Sequence, residues 1–248
     1  TTVQHNFWKQ SSVSVTYVDK QSLRVGAGDS LKYFHESIFQ KPVGSNTKTP
    51  NTYNRVLGAD LELLSSDNRW YSSSYFAKSF DEGSPDKSIS GSMFIRYAVR
   101  HIDVSAAASY VGENFNAEAG FVPSYRVYPG QINVFTDMAY KFYPKNSGII
   151  TMGPVVTASQ TYIPNGALTD RNYSAGYTFR FLNTSMLTVS YNYMYSQLTS
   201  NFNPIDPQRY TQFLNGEDYE WHFVSVKGQT NTRKTVNFSG QTSYGGFY

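Results

Sequence analysis

The feature that most constrains this chain is a run of alternating side chains from Ser88 to Val111. In SISGSMFIRYAV the odd positions are apolar or small: Ile89, Gly91, Met93, Ile95, Tyr97 and Val99. Most even positions are polar, among them Ser88, Ser90, Ser92 and Arg96. After Arg100-His101 the parity flips, and Ile102, Val104, Ala106, Ala108 and Tyr110 become the apolar set. A two-residue turn at Arg100-His101 would set Val99 opposite Ile102, Tyr97 opposite Val104, Ile95 opposite Ala106 and Met93 opposite Ala108. A side-chain period of two then puts all of them on one face of an antiparallel hairpin. Each strand has about ten residues, or roughly 33 Å, which suits a tilted bilayer crossing.

The same pattern recurs, predicting about eleven strands. Besides the hairpin they cover Ser11–Asp19, Tyr53–Leu64, Trp70–Phe80 and Gln131–Tyr143. Others carry Ile150, Met152, Val156 and Ala158; Tyr173 to Phe181; Leu187 to Tyr195; Tyr219, Trp221 and Phe223; and Val236, Phe238 and Tyr244. Short turns are expected near 65–69, 100–101, 143–149, 182–186 and 228–232. Long loops are expected near 20–51, 81–87, 112–130, 163–170 and 198–216. This strict alternation of short and long matches periplasmic turns and extracellular loops.

The fold class predicted is therefore all-β: a transmembrane antiparallel up-and-down β-barrel, with residues 1–248 as a single outer-membrane domain. Eleven strands is an odd count, and bacterial barrels are even-numbered. The expectation is that one strand is hidden within 20–51, or, preferably, that the chain is truncated at both ends and belongs to a larger barrel. A soluble all-β sandwich is the rival.

Composition agrees. The chain has 21 Tyr and 17 Phe but only 16% charged residues. No apolar run reaches the ~18 residues of a membrane helix. The net charge is +3, with Lys and Arg scattered, so no nucleic-acid partner is expected. With no cysteine there is neither a disulfide framework nor a thiolate metal site. Histidines 5, 35, 101 and 222 lack metal-ligand spacing, so no metal or cofactor is expected.

Alternation assigns Asp60, Glu62, Lys78, Arg96, Asp103, Asp137, Lys141, Arg180, Glu220 and His222 to the lumen. Asp19, Arg55 and Lys227 fall on the lipid side at strand ends. Tyr53, Tyr71, Tyr173 and Tyr219 are placed as interfacial girdles. Glu62, Arg96, Asp103, Lys141 and Arg180 form a mixed-sign ring near the short turns, readable as a constriction or as a salt-bridged brace. The loop from Gly112 to Gln131 offers Glu113, Asn114, Phe115, Glu118, Phe121, Tyr125, Arg126 and Tyr128 as a binding or plug surface. His101-x-Asp103 and Glu220-x-His222 lack a nucleophile or third partner at fixed spacing.

That loop also carries a resemblance. Gly112-Glu113-Asn114-Phe115 with Glu118-Ala119-Gly120-Phe121-Val122-Pro123, the YEWHF segment and the closing SYGGFY resemble the C-terminal barrel of large Bacteroidota envelope proteins. Those proteins carry an N-terminal module similar to carbohydrate-binding family 9, and their barrel has no established function. The family has Arg directly after Val-Pro; here Ser124 stands there and Arg126 follows. The resemblance implies a preceding binding module and strands beyond Tyr248, and no reaction. The expected role is non-enzymatic: a pore, a surface (including glycan) binding protein, or a scaffold subunit of an envelope complex. Its partners would be outer-membrane lipid, glycan or other envelope proteins. The alternative is a barrel enzyme acting on lipid or peptide.

Overall fold

A computed structural model describes residues 1–8, 10–21, 53–81, 86–117, 130–145, 147–198, 216–231 and 233–246. They form twelve strands: β1 (Thr2–Phe7), β2 (Ser11–Gln21), β3 (Tyr53–Leu64), β4 (Trp70–Asp81), β5 (Ile89–Ala98) and β6 (Ile102–Val111), followed by β7 (Gln131–Tyr140), β8 (Ile149–Tyr162), β9 (Leu168–Phe181), β10 (Met186–Gln197), β11 (Asp218–Gln229) and β12 (Ser239–Gly245). All pair antiparallel with their sequence neighbours in one meander sheet. No strand contacts any but its neighbours, so the strands make a single layer. The sheet is open: β1 and β12 do not pair, and the closed barrel expected from the sequence is not formed by the described residues.

The β5–β6 hairpin has the register that alternation demands. Val99 N–H donates to Ile102 O at 2.8 Å across the turn. Tyr97 faces Val104, Ile95 faces Ala106, and Met93 faces Ala108. The strand missing from the sequence reading is β1, where His5 and Gln4 blur the alternation of Val3 and Phe7. A strand within 20–51 falls largely outside the described residues.

Pairing sorts side chains onto two faces. One bears Val15, Leu57, Phe76, Met93, Met138, Val156, Tyr191 and Val224, all more than a third exposed. Met93 and Tyr191 are both 53% exposed. The other bears Ser79, Ser90, Asn192, Ser196 and Ser225, all buried. Large apolar groups lie open while small polar groups lie covered, the reverse of a soluble sheet packed on a core.

The faces correct several expectations. Lys78 pairs with Leu57 and Ile89, on the apolar face. Glu220 and His222 pair with Tyr195 and Tyr193, also there. Tyr219, Trp221 and Phe223 instead face Ser196, Met194 and Asn192, and Lys227 faces Thr188, all on the polar face. Parity in β11 is set by Val224 and Val226, which oppose Tyr191 and Val189. Amphipathic Tyr and Trp suit either face and so mislead. Tyr71, opposite Arg96, is likewise on the polar face.

Loop alternation also breaks once. β8 and β9 have 14 residues each, and their hairpin shortens the long loop expected at 163–170 to residues 163–167. Gly153 is obligatory where β8 passes β7, because a Cβ there would collide with the Tyr140 carbonyl oxygen.

The sheet is staggered. One lateral row runs from Val13, near the short-turn end of β2, through Leu61, Ser74 and Met93. It continues through Ala108, Val134, Gln160, Arg171 and Tyr195 to Glu220, near the long-loop end of β11. Stagger of this kind is what a tilted, closing sheet requires.

Candidate functional site

The polar face concentrates its charge near the short turns of β5–β7. Adjacent strands bring Arg96 and Asp103 diagonally together across the hairpin. Arg96 Nε and Nη2 each donate to Asp103 at 2.8 Å, a two-pronged contact. Lys141 Nζ donates to Asp103 Oδ2 at 2.9 Å from beyond β7. Asp103 is thus clamped between two cations, its side chain 17% exposed. Asp137 sits on the same face opposite Ser105. The mixed-sign ring expected from the sequence is therefore smaller. Glu62 opposes Ser12 and Ser73, Arg180 opposes Met186, and neither has an ion pair among the described residues. Asp60 accepts a hydrogen bond from Ser14 Oγ at 3.2 Å.

Beyond the ions, the polar face is a mesh of hydroxyl and amide groups that sequence reading did not single out. Ser190 and Ser225 share a bond of 2.9 Å, with Asn192 Nδ2 donating to Ser225 Oγ at 3.3 Å. Thr161 Oγ1 donates to Asn133 Oδ1 at 2.9 Å. In β10 the available signal was the parity opposite Tyr191, Tyr193 and Tyr195, which sets Ser190 and Asn192 on this face.

At the other end, the first residues of the 112–130 loop fold onto the polar face. Asn116 N–H donates to Ser79 Oγ at 3.0 Å, and Asn54 Nδ2 donates to Asn116 O at 2.9 Å. Asn114 Nδ2 donates to Asp86 O at 2.9 Å, and Lys87 Nζ to Glu113 Oε2 at 2.7 Å. Of the predicted loop residues, Glu113, Asn114 and Phe115 are placed here; Glu118, Phe121, Tyr125, Arg126 and Tyr128 lie outside the described residues.

The Glu113 carboxylate holds the Lys87 ammonium above its ordinary pKa. A raised folded-state value means the pair contributes while Lys87 is charged in both states. That contribution fades as pH climbs through the folded value. NMR titration of the Lys87 ε-carbon is expected to give a midpoint above about 10.4, restored to the ordinary value by Glu113→Gln. Identical midpoints in the two proteins would dismiss the latch.

On the apolar face, Tyr191 OH and His222 Nδ1 lie 2.7 Å apart, and Tyr193 OH donates to Glu220 Oε1 at 2.9 Å. The Arg171 guanidinium rests 5.8 Å from the ring centres of both Tyr173 and Tyr195. Glu220 and His222 are thus tied to tyrosines. No group of three or more His, Cys, Asp or Glu able to hold a metal occurs among the described residues.

Set against family models, curated proteins and solved structures, the chain matches none. The polar-face ion cluster and the loop latch consequently rest on their own geometry, which braces the sheet.

Proposed function

We propose that this chain is the transmembrane part of a bacterial outer-membrane β-barrel with a non-enzymatic role. The polar face lines the interior, and hydrocarbon wets the apolar one. The carrying observation is the inverted exposure of a one-layer sheet: Met93, Val156 and Tyr191 stand open, and among the described residues no second layer covers them. Lipid is the solvent for which such a face is stable.

Three features support the reading. Outward charges within strands, namely Asp19, Arg55, Lys78, Arg171, Asp218 and Glu220, all lie near the long-loop ends, where headgroups begin. Aromatic pairs mark the short-turn end, with Trp70 on Tyr97 at 4.7 Å and Tyr140 on Phe142 at 4.8 Å. The stagger is that of tilted strands. In lipid both open edges need partners. They gain them by pairing β1 with β12, or from further strands of the larger even-numbered barrel that the resemblance implies.

Within that class, the inner bracing by Arg96, Asp103 and Lys141 and the inturned loop favour a surface-binding or scaffold barrel over a wide pore. Glycan or other envelope proteins would meet its long loops.

The absence of cysteine allows a clean test. Single substitutions Met93→Cys and Val156→Cys, facing out, and Ser92→Cys and Thr157→Cys, facing in, are reconstituted in lipid vesicles. A water-soluble maleimide is expected to modify the inward pair and spare the outward pair until detergent is added. Rapid labelling of Met93→Cys and Val156→Cys in intact vesicles would end the membrane reading.

A further inference from the structure

A cavity of about 220 Å³ opens on the polar face at the long-loop end of β8–β11. Two rows of the polar face build most of it, and Arg171 and Tyr195 of the intervening row complete its lining. Ser159, Asn172, Met194 and Trp221 are neighbours across four strands, and above them stand Thr161, Asp170 and Ser196. No site reading from the sequence included Asn172 or Asp170. Trp221 had been set on the opposite face, as described above.

We infer that this cavity binds a small uncharged polyhydroxylated ligand about the size of one pyranose ring. Its volume lies below the roughly 300–1,000 Å³ of drug-sized sites, which limits the occupant to a single ring. Met194 and Trp221 supply an apolar wall for a C–H face. Ser159, Thr161 and Ser196 supply hydroxyls, and the Asp170 carboxylate, to which Ser196 Oγ donates at 2.9 Å, supplies acceptors. The deciding group is Asn172. Its Oδ1 is buried without a hydrogen-bond partner. An orphaned buried polar atom is costly, and a ligand that satisfies it recovers that cost. A hydroxyl can donate or accept, so it serves this amide whichever way the side chain is turned. Charge of either sign is disfavoured, because an anion would meet Asp170 and a cation would meet Arg171, both of which line the cavity.

The site needs the sheet and not the bilayer. It therefore goes beyond the barrel proposal, and either can fail without the other.

The test uses the full chain in detergent with Trp8→Phe and Trp70→Phe, which leaves Trp221 as the sole indole. Methyl α-D-glucopyranoside, methyl α-D-galactopyranoside, methyl α-D-mannopyranoside and myo-inositol are titrated against Trp221 emission, with ethylammonium chloride as the cationic comparison. Saturable change is expected with at least one of the four polyols, and Asn172→Leu should weaken it about tenfold. Should Asn172→Leu fail to fold, Ser159→Leu, which fills the same row, is expected to abolish binding. Three results would overturn the inference: no saturation with any polyol, saturation with ethylammonium alone, or undiminished affinity in a folded Asn172→Leu or Ser159→Leu protein.

Discussion

Met93→Arg is expected to destabilise the lipid-reconstituted protein by about 2–4 kcal/mol, the largest loss from any single outward substitution considered. Met93 sits mid-strand in β5, between Ser74 of β4 and Ala108 of β6, with half its surface open. In water such a position tolerates Arg within about 0.5 kcal/mol, because little is buried and the guanidinium stays hydrated. In hydrocarbon the same charge must be desolvated or must drag water in. Ile89→Arg provides the depth control. Ile89 begins β5 at the long-loop end, beside Lys78, where Arg costs about 0–1 kcal/mol. Urea unfolding from vesicles measures both. Equal, negligible costs at the two positions would mean that water, and not lipid, covers this face.

Asp103→Ala is expected to cost about 1–3 kcal/mol, since it deletes three charge-assisted hydrogen bonds and leaves Arg96 beside Lys141. The Arg96 and Lys141 side chains are 49% and 36% exposed, so water tempers their repulsion and holds the loss to this range. Asp137→Asn, on the neighbouring strand, is expected to change stability by no more than about 0.5 kcal/mol. Asp137 makes no hydrogen bond or ion pair among the described residues, and its repulsion from Asp103 is opposed by attraction to Arg96 and Lys141. A double-mutant cycle of Asp103→Ala with Arg96→Ala should show strong coupling. Equal effects of Asp103→Ala and Asp137→Asn would mean that general charge, and not this clamp, matters.

The candidate site was legible in part. That Arg96, Asp103 and Lys141 share a face follows from parity, which any reader of the chain can count. That they touch while Glu62 and Arg180 stand apart does not, because lateral neighbours depend on stagger accumulated through several pairings. The Asn172 cavity was invisible for the same reason, compounded by the inverted parity of β11. There the YEWHF aromatics drew the eye, while Val224 and Val226 determined the face.

Alternation alone established the all-β class, the β5–β6 register and the facing of most strands, because a period of two is written into each strand's own residues. The N-terminal strand, the long β8–β9 hairpin, the setting of Lys78, Glu220 and His222 on the apolar face, and the row linking Val13 to Glu220 emerged only from the tertiary structure. Those features depend on which residue of one strand meets which residue of the next. Hydrogen bonding along the whole ladder decides that, and no local pattern encodes it.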